Sequence, residues 1–288
     1  MVNTYSFDCT ACGKCCNSPP AMSLRELFGH RDLFVGCIAL GRVRRDANTP
    51  LHAFPVDEAN TITITTLALD YSSIGRCPAL ADDGLCSLHV KGKPDQCIAV
   101  PLDPLVPDHL QHAVLAQRST GAGWIGAQCI RPGEHAEAML LRGNEIVDEE
   151  AKAAVQRRRA AMLIERDLWS AAIFNDLSRE FDQPRRMLAM LPEYGYRTIP
   201  IVPALLAIGV MSTELAQICI AYIDAQRSLI QRNVTQAMQR RCLDDRPMTQ
   251  TLRSFADALV HARVRLAELP PRAVSAPLVR KAEAWLLG

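Results

Sequence analysis

The chain has 288 residues, 49% hydrophobic and 22% charged, with a formal net charge of +1. That length suits one or two globular domains with a real core, and the near-zero charge excludes a global field drawing the chain to nucleic acid or membrane. With only 5% aromatic residues, a zinc-ribbon reader of phosphate backbones is disfavoured as well.

The opening MVNTYSFD has neither the basic nor the apolar region of a secretory signal, so a cytoplasmic location is expected. SLRE at 23–26 fits a capping box, with Ser23 as N-cap ahead of a short helix carrying Leu27 and Phe28. TITITT at 61–66 alternates and is β-branched, which predicts a strand, and Asp83–Gly84 predicts a turn. A strand over Ala113–Gln117 could lead into GAGWIG (121–126), a G-x-G-x-x-G pattern. The nucleotide reading of that pattern needs a following helix, and Pro132–Gly133 arrive too soon for one. A loop delivering Cys129 is the better reading.

Composition changes at Arg131–Pro132–Gly133, which predicts a cysteine-cluster metal-binding domain over 1–133 and a helical domain over 134–288. In the second part Val155, Met162 and Trp169 recur at heptad spacing. Leu215, Ile218, Tyr222, Ala225 and Leu229 form one helical stripe, and Leu252, Phe255, Leu259, Ala262 and Leu266 form another. Prolines at 200, 203, 247, 270 and 271 punctuate these segments. The apolar run PIVPALLAIGVM (200–211) is too short to span a bilayer. The arginine runs at 157–159 and 240–241 read as solvated helix faces. The expected fold is mainly α: an irregular Cys-rich N-terminal domain with minor β, followed by a bundle of about four to six helices.

Cysteine carries the chemistry. The chain has eleven, an odd count that argues against a complete disulfide framework, and nine precede residue 130. Cys9, Cys12 and Cys15 stand at C-x2-C spacing, which lets thiolates meet one metal across a tight turn, and Gly13 tolerates the positive φ such a turn needs. Cys16 follows Cys15 directly. Neighbouring side chains usually point apart, so one of the pair is expected at a second metal or a second iron of a cluster. Cys77 and Cys86 are folded together by the Asp83–Gly84 turn, Cys97 follows, and Cys129 is an eighth candidate. Eight thiolates make two four-cysteine sites, or one polynuclear site with spares. Cys37 and Cys219 read as core, Cys242 is isolated, and His89 reads as a surface or outer-sphere histidine rather than a ligand. All-sulfur ligation suits zinc and iron–sulfur clusters alike. The C-x2-C-x2-C run repeats the first three ligands of a bacterial ferredoxin motif, and adjacent cysteines are easier to use on a polynuclear centre, which tilts the reading to iron–sulfur.

F-x-C-x-x-C-G-x-C-C at 7–16, C-P-x-L-x-x-x-G-x-C at 77–86 and K-P-x-x-C-x-x-x-P at 93–101 together resemble the YkgJ-like cysteine-cluster family. The resemblance covers roughly residues 5–130. It implies a zinc- or iron-chelating domain with Cys9, Cys12, Cys15, Cys16, Cys77, Cys86 and Cys97 as metal ligands. His89 stands where that family has a tyrosine, Gly92 is an insertion, Lys93 replaces an arginine, and Ile98 and Val100 replace a basic and an aromatic residue. Flagellin lysine N-methylases are grouped with the family. Two functions are therefore expected. The first is a metal protein for electron transfer, metal handling or docking of a protein partner through its helices. The second is an S-adenosylmethionine-dependent protein lysine N-methyltransferase, for which the sequence offers no catalytic base.

Overall fold

The computed structural model describes residues 4–90, 92–120, 127–135, 138–268 and 274–287. GAGWIG and Pro270–Pro271 lie outside them. In chain order the elements begin with β1 (Thr4–Phe7), α1 (Leu24–Gly29), β2 (Val35–Arg44), β3 (Phe54–Pro55), β4 (Asn60–Leu69), α2 (Asp95–Ala99) and α3 (Gln111–Ser119). There follow β5 (Ile130–Pro132), β6 (Met139–Arg142), β7 (Glu145–Ile146), α4 (Glu149–Glu165), α5 (Ala171–Glu180), α6 (Pro184–Ala189) and β8 (Tyr196–Pro200). The last four helices are α7 (Val202–Gly209), α8 (Thr213–Arg240), α9 (Arg246–Glu268) and α10 (Ala276–Leu287). Helix outweighs strand, 54% to 16%, so the chain is mainly α. None of the described helices is long and apolar enough to cross a membrane.

The chain forms two compact units. The first takes residues up to Ala21 together with Gly75–Ala161; the second takes Met22–Ile74 and everything from Met162. This differs from a single boundary at residue 133, and strand pairing is the reason. β1 pairs antiparallel with β5 and β6, which lie on either side of that boundary, giving a sheet of order β5-β1-β6-β7. The 22–74 segment leaves the first unit because β2 pairs with β8, from the helical half, giving a second sheet of order β3-β4-β2-β8. The helical half is therefore not a helix-only bundle.

In the first unit, Tyr5, Leu102, Leu115, Ile130, Leu141 and Val155 are buried in one core, with Phe7, Cys15 and Ile98 packed on its margin. Residues 113–117, expected as a strand, lie within α3. Gln111, fully buried at its start, accepts from the Asp103 amide and donates to the Asp103 and Val106 carbonyls, so the helix is tied to the preceding loop. The arginine run at 157–159 is a solvated face only in part: Arg157 is exposed and binds Asp95 at 2.7 Å, but Arg158 is buried and the half-buried Arg159 binds Asp108 at 2.8 Å.

In the second unit the capping box at Ser23 and Glu26 forms as expected and starts α1. TITITT lies inside β4, with Ile62 and Ile64 buried and Thr63 and Thr65 half-buried. The α9 stripe is buried in full. On α8 the buried line runs through Leu215, Cys219, Tyr222, Ile223, Gln226 and Leu229, leaving Ile218 and Ala225 half-buried. Trp169 is fully buried on a π-helical turn, Arg166–Ser170, that joins α4 to α5. The heptad residues thus do not share one partner. Val155 belongs to the first unit, Met162 and Trp169 to the second.

Candidate metal centre

The first unit gathers Cys9, Cys12, Cys15, Cys16, Cys77, Cys86, Cys97 and Cys129; Cys37, Cys219 and Cys242 belong to the second. None of the eleven forms a disulfide. Cys37 and Cys219 are fully buried on β2 and α8, and burial pushes both thiols up to about 12. They are small apolar core residues, as expected.

The chain leaves β1 into an irregular loop in which the Asp8 amide donates to the Cys129 carbonyl at 2.9 Å. Ala11 (φ 53°) and Gly13 (φ 68°) are left-handed, so the knuckle turns sharply where the spacing required it. A short 3-10 turn, Lys14–Cys16, follows. The Cys16 carbonyl accepts from the Cys77 amide at 2.6 Å, tying the knuckle to the next motif. Residues 77–86 form a miniature hairpin: the Leu80 amide donates to the Cys77 carbonyl, and Leu80 bridges to Cys86. The hairpin turn at Gly84 has φ 81°. Cys97 sits on α2, whose first residue, Asp95, is held by Arg157. Cys129 closes a 3-10 turn that runs into β5.

Cys9 and Cys12 are exposed, Cys15, Cys16, Cys86 and Cys97 half-buried, and Cys77 and Cys129 buried. The Cys15 and Cys16 sulfurs lie 3.9 Å apart. Contrary to expectation these neighbours do not point apart, because the 3-10 turn rotates both thiols to one side. A tetrahedron of sulfurs around zinc, with Zn–S about 2.3 Å, has an edge of about 3.8 Å. The Cys15 thiol donates to Cys16 and lowers the Cys16 pKa, while burial and the nearby Cys77, Cys97 and Cys86 act the other way. Cys15 is raised in return, by that same bond and by burial. Cys12 is lowered chiefly by the Lys14 amide, against burial, with help from Thr10 and Cys129. Among the described residues no three His, Cys, Asp or Glu side chains already stand at the spacing of a metal site. Closure onto a metal takes side-chain rotation within this cluster. The all-thiol donor set fits a thiophilic group, zinc or iron–sulfur, and it fits a hard oxygen-seeking cation poorly.

Sequence reasoning missed Thr10, whose hydroxyl lies 3.2 Å from the Cys129 sulfur. Its signal was only its place between Cys9 and Cys12. A cleft of about 490 Å³ opens beside the cluster, lined by Cys9, Cys15 and Cys97 together with His89, Lys93, Asp148 and Glu150 and by apolar Phe7, Ile98, Val100 and Leu140. His89 is exposed at its rim.

Gly84 holds the two cysteine motifs together. A Cβ there would lie 2.6 Å from the Ala11 carbonyl oxygen, and its φ already disfavours a side chain. Gly84→Ala is therefore expected to lower stability by about 2–4 kcal/mol, read by thermal unfolding, and to lower bound metal with it. Gly75 has a similar φ of 62° with nothing within 4 Å of an added Cβ. Gly75→Ala should lose only the backbone component, about 1–2 kcal/mol. Equal losses would mean that the Ala11 contact is irrelevant.

The chain matches no family model, no curated protein and no solved structure.

Proposed function

We propose that the protein is a metal-binding protein that holds an iron–sulfur cluster or zinc through its clustered cysteines, for electron transfer, metal handling or docking of a protein partner. One observation carries the reading. The first unit is discontinuous in sequence, and its two segments take up all eight candidate cysteines while Cys37 goes with the second unit. Cys37 is also the one cysteine before residue 130 that the sequence reads as core rather than ligand. Thiols brought together from four separate stretches of chain repel once ionised unless a cation neutralises them, which gives the cluster a reason to bind metal. The buried Cys77 and Cys129 and the core-packed Cys15 would anchor bound metal on the protein side, with the exposed Cys9 and Cys12 on the solvent side. Bound there, the group supplies either a one-electron couple or a structural clasp.

A second reading, an S-adenosylmethionine-dependent protein lysine N-methyltransferase, is favoured by the cleft. Its volume lies within the range of small-molecule sites, and three of its walls are candidate ligands, so a bound donor would lie against the metal centre. The carboxylates of Asp148 and Glu150 suit a cationic group, though Asp148 is partly engaged in accepting the Ala151 amide.

Elemental analysis for iron, zinc and acid-labile sulfide, with a visible spectrum, on protein purified without oxygen tests the first reading. Iron with sulfide and a broad visible band supports the redox form. Colourless protein with stoichiometric zinc supports the clasp and removes the methylase reading. Protein free of both metals overturns the proposal. On iron-loaded protein, S-adenosylmethionine that fails to bind by calorimetry removes the second reading.

A further inference from the structure

We infer that the first unit carries two four-thiol centres side by side, one built from Cys16, Cys77, Cys86 and Cys97 and the other from Cys9, Cys12, Cys15 and Cys129, each suited to zinc or an iron–sulfur cluster. The inference rests on the metal-binding reading above and adds the number of centres and the membership of each.

Each set has its own tethers. In the first, the Cys77 amide binds the Cys16 carbonyl at 2.6 Å, and in the same hairpin Cys86 pairs with Leu80, whose amide binds the Cys77 carbonyl. The Cys16 thiol lies within electrostatic reach of Cys77, Cys97 and Cys86 together. In the second, the Asp8 amide, next in chain to Cys9, donates to the Cys129 carbonyl. Thr10 binds the Cys129 sulfur at 3.2 Å, and Cys12 shares Thr10 and Cys129 as side-chain partners and lies within reach of Cys15. The Cys16 and Cys129 sets thus draw on different stretches of chain after residue 16: 77–97 for one, 127–129 for the other.

The two sets meet at the Cys15–Cys16 sulfurs, 3.9 Å apart. That spacing would suit two ligands of one ion as well; the tethers above, which tie Cys16 to Cys77 and join Cys12, Thr10 and Cys129, divide the pair between two adjoining centres. Bacterial two-cluster ferredoxins divide their cysteines in a comparable way: after C-x2-C-x2-C, the next cysteine ligates the other cluster. Here that next cysteine follows at once, which brings the two centres against each other. A thiol that binds loses its proton, so filling both centres releases protons from eight cysteines.

Native mass spectrometry and elemental analysis of the full chain, purified without oxygen, decide the matter. Wild type is expected to hold two metal equivalents, or two clusters. Cys9→Ser, at an exposed position, and Cys86→Ser, at a half-buried one, are each expected to retain one. Cys12→Ser and Cys97→Ser give the same readout should either first variant fail to match the wild-type circular dichroism. A single bound equivalent that disappears in both variants overturns the two-centre inference and leaves the metal-binding reading standing. So does a folded variant that loses both equivalents at once. A wild-type chain without metal overturns both.

Discussion

Replacing Cys16 by serine is expected to cost the protein at least half of its bound metal and to weaken binding of the affected centre by well over tenfold. The Cys16 thiol lies 3.9 Å from Cys15, which favours its ionised form by donating to it, and within electrostatic reach of Cys77, Cys97 and Cys86. Loss of a partner that merely orients a ligand typically lowers metal affinity 10–100-fold, so loss of a thiolate placed among four others should exceed that. The Cys77 amide to Cys16 carbonyl bond is a backbone contact and survives the substitution, so the knuckle should stay docked. The contrast is Cys37→Ser. That residue is fully buried between β4 and β8 partners and belongs to the other unit, so it should lower stability and leave metal content unchanged. Metal per chain, with thermal unfolding of both variants, separates the two effects. Full metal content in Cys16→Ser would remove Cys16 from the ligand set.

The separation of Cys37 from its eight neighbours in sequence was legible because local spacing carried it. A C-x2-C pair with glycine inside it specifies a tight turn, and Gly13 indeed takes φ 68°. Asp83–Gly84 specified the hairpin between Cys77 and Cys86 for the same reason, and the Asp83 side chain accepts the Leu85 amide there. The relation of Cys15 to Cys16 was not legible. It depends on a single 3-10 turn, and the rule that adjacent side chains diverge holds for extended chain and not for this one. Thr10 escaped for a different reason: its partner, Cys129, lies 119 residues away.

Fold legibility divides along the same line. Capping boxes, β-branched alternation and apolar stripes are written within a dozen residues, and α1, β4 and α9 follow them closely. Unit membership is written in pairings across the chain. Nothing local to VGCIALGRVR announces that its partners are a strand at 60–69 and another at 196–200. Composition therefore pointed to one boundary at residue 133, while hydrogen-bonded ladders drew 22–74 into the second unit and kept β6 and β7 in the first. The arginine run at 157–159 misled in part, at Arg158 and Arg159, for a kindred reason. Charge reads as solvent exposure until a carboxylate distant in sequence, such as Asp108, is brought to it.

Gln226 holds the start of β2 in the second unit through its side-chain hydrogen bonds, and its replacement by methionine is expected to lower stability by about 2–5 kcal/mol. Its side chain is almost fully buried. The carbonyl oxygen accepts from the Gly36 amide at 2.8 Å, and the amide nitrogen donates to the carbonyls of Arg31 at 2.7 Å and Phe34 at 2.9 Å. Methionine keeps the shape and leaves the Gly36 amide and Phe34 carbonyl buried without that partner, at about 1–3 kcal/mol each. Gln226→Glu gives the sharper test because its effect depends on pH. A carboxylate there faces two carbonyl oxygens in a dry site, so its folded pKa must rise above the unfolded value of about 4.3. A raised carboxyl pKa means that the folded state holds the proton more tightly than the unfolded one. The variant is therefore relatively strongest below pH 4, where the protonated acid can still donate to one carbonyl, and it weakens as pH rises through the folded value. Urea unfolding from pH 4 to pH 8 should show the gap between Gln226→Glu and wild type widening with pH, while the gap for Gln226→Met stays level. Parallel pH dependence in the two variants would mean that Gln226 fills space on α8 and does not hold the start of β2 through its hydrogen bonds.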